Sequence, residues 1–180
     1  QGDLRVLHYL EILKQEIGFS QIKERVKKPL AGLKAAAYYG CMLLRPFDEM
    51  GFDDKERPTL FEEFLEAMGA ESVDFPYKIE CCGSFQSVGS PEVATECSYK
   101  ILNSAIKNGA EVVVSTCPMC TFNIDHKQSD IKEKYLGFKP IPVLYFTQLL
   151  GMAMGLDYQS LGFEQNFVDP LPLLKEKGFI

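Results

Sequence analysis

The sequence has neither an excess of basic residues nor a long apolar run, and these absences exclude several classes of function. Its 19 Lys and Arg residues are outnumbered by 25 Asp and Glu, which gives a net charge of −6. This balance argues against nonspecific binding to nucleic acid or to anionic membranes. No apolar run approaches the roughly 20 residues of a membrane-spanning helix, and no secretory signal is recognisable. We therefore expect neither a nucleic-acid partner nor a membrane span.

Cysteine is too sparse for a small secreted disulfide scaffold, because the 180 residues include only six. A chain of this length with 46% hydrophobic residues can stabilise itself by burying apolar surface. We therefore expect the cysteines to stay reduced and to serve metal or redox chemistry in the cytoplasm. The sequence opens with Gln1-Gly2 rather than with a start Met, which is compatible with a fragment of a longer protein.

Alternating apolar segments and amphipathic segments predict an α/β fold. The predicted strands are 33–39, 72–75, 111–116 and 142–146. The predicted helices are 3–17, 20–28, 59–68, 90–108, 117–134 and 147–154. Strands that alternate with helices form parallel sheets through right-handed crossovers. We predict a single domain with a roughly four-stranded parallel sheet flanked by helices.

Local signals mark where some of these elements begin and how the chain is divided. Thr59 followed by Glu62 is a capping-box pattern, and Ser20 is a candidate cap for the second helix. The stretch 42–58 is predicted to be a loop. We divide the chain into an N-terminal helical segment (1–30), an α/β domain (31–155) and an irregular C-terminal tail (156–180) packed on that domain.

Five of the cysteines follow three of the predicted strands. Cys41 comes after the first strand, the Cys81-Cys82 pair after the second, and the Cys117-Pro118-Met119-Cys120 turn after the third. Ligands of open parallel sheets bind beyond the C-terminal ends of the strands. The sequence therefore predicts that all five sulfurs lie at one edge of one sheet.

Such a set of thiols favours metal chemistry, and Cys117 lies at a predicted helix N-terminus, where a thiolate is stabilised. Structural zinc takes four ligands, so five thiolates exceed its needs. Iron–sulfur clusters usually take four cysteines, so a fifth indicates an unusual cluster or a free redox thiol. Adjacent cysteines such as Cys81 and Cys82 suit different irons of an extended cluster better than one ion. A structural zinc site with one spare thiol remains the alternative.

Three further features each have two interpretations. Cys97 lies mid-helix and is either a small buried residue of the core or a ligand. His126 follows Cys120 along the same predicted helix and is either a surface or packing residue or a proton donor to a leaving thiolate. The basic side chains of the second helix form either a solvated face or a docking patch for an acidic partner.

The cysteine pattern with Gly83 resembles the CCG domain, a family named for its cysteine-rich signature. The similarity continues through four segments, and there it resembles the C-terminal half of the B subunit of the heterodisulfide reductases. Those segments are Lys34–Cys41, Tyr77–Gly83, Phe167–Pro170 and Leu173–Gly178. Such subunits carry two CCG domains, whereas this chain carries one.

The resemblance implies a non-cubane [4Fe–4S] cluster held by Cys41, Cys81, Cys82, Cys117 and Cys120. It implies reductive cleavage of a disulfide, such as the coenzyme M–coenzyme B heterodisulfide of methanogens, bound between the clusters of two CCG domains. The implied partners are the second CCG domain, from the N-terminal half of the B subunit, and two further proteins of the reductase complex, the iron–sulfur C subunit and the flavin-containing A subunit. A related alternative is an electron-transfer protein like the iron–sulfur proteins of glycolate or lactate oxidation, which share CCG domains.

Overall fold

Four parallel strands form the centre of the molecule in the computed structural model, which describes residue 4 and residues 6–180. The strands are β1 (Lys34–Tyr38), β2 (Glu71–Ser72), β3 (Val112–Ser115) and β4 (Val143–Tyr145). They lie in the order β2-β1-β3-β4, and every pairing is parallel. The predicted α/β fold with a four-stranded parallel sheet is therefore confirmed.

Helices of varied length cover the sheet. They are α1 (Tyr9–Ile12), α2 (Phe19–Arg25), α3 (Phe47–Met50), α4 (Leu60–Ala67), α5 (Pro91–Lys107), α6 (Pro118–His126), α7 (Gln128–Lys134), α8 (Phe146–Ala153) and α9 (Leu171–Glu176). A π-helical turn (Leu13–Ile17) follows α1, and short 3₁₀ turns lie at Ser84–Gln86, Tyr158–Ser160 and Phe163–Gln165. No helix within residues 6–180 combines the length and the apolar composition needed to cross a membrane. The cytoplasmic location stays a prediction.

Alternate residues of the inner strands pack on opposite faces of the sheet, as the pleat requires. Ala35 and Ala37 belong to one hydrophobic core, with Phe64 and Phe146. Ala36 and Tyr38 belong to a second core on the other face, which also contains Cys82, Cys120 and residues of α5 and α6. The cysteine-bearing edge of the sheet is thus continuous with the core beneath α5 and α6.

The N-terminal and C-terminal regions differ from the sequence prediction in detail. Residues 1–3 and 5 of the predicted first segment lie outside the described residues, and α1 begins only at Tyr9. It begins there because the His8 ring accepts the Leu10 N–H at 3.2 Å. The tail predicted to be irregular contains α9, and the predicted loop 42–58 contains α3. The division of the chain at residues 30 and 155 stays a prediction.

Two predicted helix boundaries are wrong. Helix α2 follows Gly18, so Ser20 does not cap it, and the predicted helix 117–134 breaks at Lys127 into α6 and α7. The capping box at Thr59 does not form either. Instead the Asp53 carboxylate accepts the N–H groups of Thr59 and Leu60 at 2.8 and 2.7 Å.

The Glu62 side chain is unavailable to cap α4 because it points into the protein and takes part in a polar network. The Tyr39 hydroxyl donates to it, and Lys78 Nζ lies 2.7 Å from its Oε1. Lys78 also contacts Asp74 Oδ1 at 2.9 Å. Burial lowers the pKa of Lys78, but its hydrogen bonds to Glu62 and Asp74 outweigh burial and leave the pKa raised. The network therefore keeps Lys78 charged.

Replacing Lys78 with Met should lower the free energy of unfolding by about 3 kcal/mol, because Glu62 would stay buried without its cation. The side chains of Lys78 and Glu62 are only 13% and 11% exposed. Chemical denaturation measures the change. Lys100→Met is the matched control, since its ion pair with Glu96 is more open and should be worth about 0.5 kcal/mol. Equal losses in the two variants would contradict the structural importance of the Lys78 network.

Candidate thiolate site

Three loops at the C-terminal edge of the sheet carry the five motif cysteines. Cys41 lies three residues beyond the end of β1, and Cys117 lies two residues beyond the end of β3. The Cys81-Cys82 pair comes from the turn segment that follows β2. All six cysteines of the chain are free thiols. The predicted placement of the cysteines at this edge is confirmed, whereas their role as ligands stays a prediction.

The cysteine pair is brought to this edge by hydrogen bonds to the end of β1. The backbone N–H groups of Tyr39 and Gly40 donate to the Lys78 carbonyl at 2.9 and 3.2 Å. The hydroxyl of the buried Tyr38 donates to the Glu80 carbonyl at 2.7 Å. These bonds fix the segment immediately before Cys81 against the strand that leads to Cys41.

The sulfurs meet in two contacting groups. Cys82 Sγ and Cys120 Sγ lie 3.3 Å apart, and Cys120 also shares a hydrogen bond with Cys117. In the second group, Cys41 is hydrogen-bonded to Cys81. Cys82 and Cys120 are buried, whereas the other three are half-buried. The site therefore has a dry inner side and an open outer side.

Hydrogen bonding favours the thiolate at two of these cysteines. A bond from Cys120 and bonds from Ser84 lower the pKa of Cys82 to about 6. A bond from Cys120 and the backbone N–H groups of Cys120 and Met119 lower the pKa of Cys117 to about 6. Cys117 is the N-cap of α6 and Pro118 its first residue, as the sequence predicted. The pKa of Cys120 is raised, because its hydrogen bonds to Cys117 and Cys82 favour its protonated form.

Two glycines let the backbone approach the sulfurs closely. Gly40 and Gly83 both have positive φ, at 68° and 76°. A Cβ at Gly40 would lie 3.3 Å from Cys120 Sγ, and one at Gly83 would lie 3.1 Å from the Ala94 Cα of α5. A side chain at either position would therefore be strained both by its backbone conformation and by its neighbours.

Two residues that support the site were missed from the sequence. Asn123 Nδ2 donates to the Cys82 carbonyl at 2.9 Å and to Ser98 Oγ at 3.2 Å. Tyr38 joins β1 to the cysteine pair through its bond to Glu80. Asn123 lies three residues after Cys120 on one helix, and this spacing is the signal that could have identified it. The Tyr38 bond spans 42 positions and has no local signal.

Cys97 and His126 lie near the site but differ in their surroundings. Cys97 is half-buried rather than buried, and its Sγ would be 3.3 Å from a Cβ at Gly83. The prediction that it is a buried core residue is therefore corrected. His126 stacks on Phe122, with ring centroids 5.4 Å apart, and meets the edge of Phe167 at 4.7 Å. Its role as a proton donor stays a prediction.

The donor set consists of thiols, which are ligands of metal ions and of iron–sulfur clusters. Within the described ranges, no three His, Cys, Asp or Glu side chains converge closely enough to hold one metal ion. The five sulfurs instead line an edge in two groups, and all of them are thiols, the ligands that hold iron–sulfur clusters. Among the described residues, none is a hydrogen-bond partner of the buried Thr116 Oγ1 beside Cys117. The thiols present thus fit a bound metal or an iron–sulfur cluster.

Comparisons with known proteins identify the family to which the chain is similar. The sequence profile of the cysteine-rich domain CCG matches residues 35–125. The chain is 36% identical over 173 residues to the "8-methylmenaquinol:fumarate reductase membrane anchor subunit" of Wolinella succinogenes, covering 96% of this chain and 60% of that protein. It is 37% identical over 176 residues to the B subunit of the "Ferredoxin:CoB-CoM heterodisulfide reductase" of Methanosarcina mazei, covering 97% of this chain and 58% of that protein. The chain thus spans about 60% of the length of these relatives.

A solved structure shares the fold at low sequence identity. A hypothetical protein from Helicobacter pylori superposes with a TM-score of 0.61 at 14% identity, over 83% of this chain and 28% of that one. The likeness supports the α/β architecture and carries no information about chemistry.

The close approach at Gly83 predicts a loss of stability on substitution. Gly83→Ala should lower the free energy of unfolding by about 1–3 kcal/mol more than Gly109→Ala, because the new methyl group meets the backbone of α5. Gly109 is the matched control, since its φ is also positive but a Cβ there would have nothing within 4 Å. Thermal or chemical unfolding of the two variants measures the difference. Equal destabilisation would show that backbone conformation alone accounts for Gly83.

Proposed function

The chain belongs to the CCG family of cysteine-rich domains, and from this premise we propose that it is the thiolate-bearing domain of a redox complex that reductively cleaves a disulfide. The observation that carries the proposal is the convergence of cysteines from three separate loops, with Cys82 and Cys120 in contact at 3.3 Å. The similarity to the B subunit of a heterodisulfide reductase over 97% of the chain supports the reaction class.

We propose that Cys41, Cys81, Cys82, Cys117 and Cys120 hold a non-cubane [4Fe–4S] cluster. When bound, such a cluster supplies electrons singly and offers iron as a site for a sulfur ligand. The arrangement of sulfurs in two groups supports several metal atoms over one zinc ion. Stoichiometric zinc in a structural or interaction module is the alternative that the metal content would reveal.

The chain's own residues prepare the site for a negatively charged set of sulfurs. The N-terminus of α6 stabilises the Cys117 thiolate, while Asn123 and Tyr38 hold the backbone on both sides of the cysteine pair. Burial of Cys82 and Cys120 excludes water from the inner side. Cleavage of a disulfide consumes two electrons and two protons and releases two thiols. His126 remains a weak candidate for delivering one of these protons.

The proposed complex contains two further redox proteins and a second CCG domain. Electrons come from an iron–sulfur protein equivalent to the C subunit of the reductases, which receives them from a flavoprotein equivalent to the A subunit. A second CCG domain, from the N-terminal half of the same polypeptide, completes the active site around the disulfide. The coenzyme M–coenzyme B heterodisulfide is one candidate substrate, as the name of the Methanosarcina relative indicates.

A second candidate is an electron-transfer protein without disulfide turnover. The similarity to a protein of a fumarate reductase favours it, because the identity of 36% nearly equals the 37% shared with the heterodisulfide reductase. The iron–sulfur proteins of glycolate or lactate oxidation illustrate the same role. In this case the five cysteines still hold a cluster, but no substrate sulfur reaches it.

Metal analysis of anaerobically purified protein should find about four irons and four acid-labile sulfides per chain. Cys82→Ser should abolish this content, because Cys82 is a buried sulfur in contact with Cys120. Cys97→Ser is the matched control and should keep both the iron and the absorption spectrum. One zinc per chain without iron in the unaltered protein would refute the cluster, and an unchanged spectrum in Cys82→Ser would remove that residue from the ligand set.

Turnover by the intact complex separates the two redox candidates. A disulfide reductase should release two thiols per disulfide with reduced ferredoxin or an equivalent donor, and Cys82→Ser should stop that release. Thiol titration measures the product. Electron transfer through the cluster without any thiol release, over a panel of disulfides, would favour the electron-transfer role.

A further inference from the structure

Beside Cys117 lies a cavity that none of the five motif cysteines lines, and we propose that it binds the uncharged, apolar arm of a thiol or disulfide substrate. This inference rests on the proposed function, because it assigns the class of substrate. We call the cavity the side pocket; it has a volume of about 230 Å³ and lies between α6, the end of β4 and the tail. Pockets for complete drug-sized ligands measure about 300–1,000 Å³, so this one suits an arm rather than a whole molecule.

The side pocket adjoins the thiolate site directly. Pro118, the residue after Cys117, forms part of its wall, and so does Thr121, whose hydroxyl donates to the Cys117 carbonyl at 3.0 Å. Tyr145 lines it from β4 and lies close enough to Cys117 to interact with the charge of its sulfur. A molecule whose sulfur reaches the Cys117 side of the cluster can therefore place its substituent here.

The polar side chains of the side pocket are engaged in building its walls. The two oxygens of the buried Asp125 accept the backbone N–H groups of Phe167 and Val168 at 2.8 and 3.0 Å. Asn166 Nδ2 donates to the Val143 carbonyl at 2.7 Å. These bonds pin the tail to α6 and β4.

Gln148 is engaged in the same way. Its Nε2 donates to the Leu161 carbonyl and to Asn166 Oδ1, both at 3.1 Å, and its Oε1 accepts the Tyr145 N–H at 2.9 Å. All three of these hydrogen bonds are made to protein atoms, so the Gln148 amide is part of the wall of the side pocket. Apart from the exposed Gln165, whose amide contacts Glu164 at 3.5 Å, the polar side chains of the side pocket offer a ligand little hydrogen bonding, so apolar contact must hold it.

Two aromatic rings supply that apolar contact. Phe122 and Phe167 are 55% and 58% exposed, and their ring centroids lie 5.6 Å apart in an edge-to-face arrangement. Covering large exposed rings with an apolar group is favourable in proportion to the area removed from water. The tail segment that begins at Phe167 thus has a function at the site, as the wall of a substrate pocket.

The charge of the side pocket selects against an anionic arm. Among the residues that the structure describes, no lysine, arginine or histidine lines it, and the Asp125 carboxylate lies in its wall. A sulfonate, phosphate or carboxylate would lose its hydration without meeting an opposite charge, which is strongly unfavourable. We therefore assign the side pocket to aromatic or aliphatic substituents.

The test compares two probes that share a thioether skeleton, one neutral and one carrying an added anionic sulfonate group. Benzyl methyl sulfide is a thioether that cannot exchange with cysteine thiols, and its para-sulfonate has the same skeleton with one negative charge. Binding to the anaerobic, reduced full chain is measured by calorimetry, and the site is mapped by amide chemical shifts in NMR. We expect the neutral probe to bind at least tenfold more tightly and to shift the amides of α6 and of residues 165–168.

Substitution of Phe122 and Phe167 tests whether these two rings bind the neutral probe. Phe122→Ala and Phe167→Ala should each weaken the neutral probe about tenfold, which corresponds to about 1.4 kcal/mol. Both rings are more than half exposed, so truncation should leave the fold intact, and the melting temperature verifies this. Phe85→Ala is the matched control, because Phe85 is 75% exposed and does not line the side pocket. It should leave binding unchanged.

Three outcomes would overturn the assignment: equal or tighter binding of the sulfonate, unchanged binding in both ring variants, or shifts confined to other regions. The result is independent of metal content, because the walls of the side pocket are protein alone. Selective binding in a chain without iron would refute the cluster and retain the side pocket. Binding of both probes with equal affinity by a chain that retains its iron would refute the side pocket and retain the cluster.

Discussion

The hydrogen bonds that tie residues 78–80 to the end of β1 are the interaction on which the cysteine site depends. Strand β2 is only two residues long, so the sheet ladder alone cannot place the cysteine pair that follows it. The Lys78 carbonyl accepts two backbone N–H groups from the end of β1, and the Glu80 carbonyl accepts the Tyr38 hydroxyl. The Lys78 side chain adds its bonds to Glu62 and Asp74. Without these contacts the pair would lose its backbone attachment to the strand that leads to Cys41.

Charge is the second constraint, because several sulfurs close together repel one another once they ionise. Two features offset part of this repulsion between the sulfurs. They are the N-terminus of α6 at Cys117 and the hydrogen bonds that Cys120 shares with Cys82 and Cys117. Burial and the bond to Cys81 raise the pKa of Cys41, so this thiol favours its neutral form. Full ionisation of the set therefore calls for added positive charge, which the iron of the proposed cluster would provide.

Patterns that reflect local physics predicted much of this structure. The β-branched run of β3, the proline that opens α6 and the placement of cysteines after strands all follow from short-range rules. What the patterns could not predict depends on distant contacts. Asp53 rather than Glu62 caps α4, because Glu62 is engaged with Tyr39 and Lys78. The support of Cys82 by Asn123 spans 41 positions, and the aromatic wall at Phe167 depends on the hydrogen bonds by which Asp125 binds the tail.

The chain presents one set of thiols, an adjoining apolar pocket and an open outer side, which is what half of the proposed active site requires. The most direct test of the proposed cluster is anomalous diffraction at the iron edge from anaerobically grown crystals. We predict one group of several iron peaks bounded by Cys41, Cys81, Cys82, Cys117 and Cys120. A single peak at the zinc edge coordinated by four of these sulfurs, or iron bound elsewhere in the molecule, would contradict it.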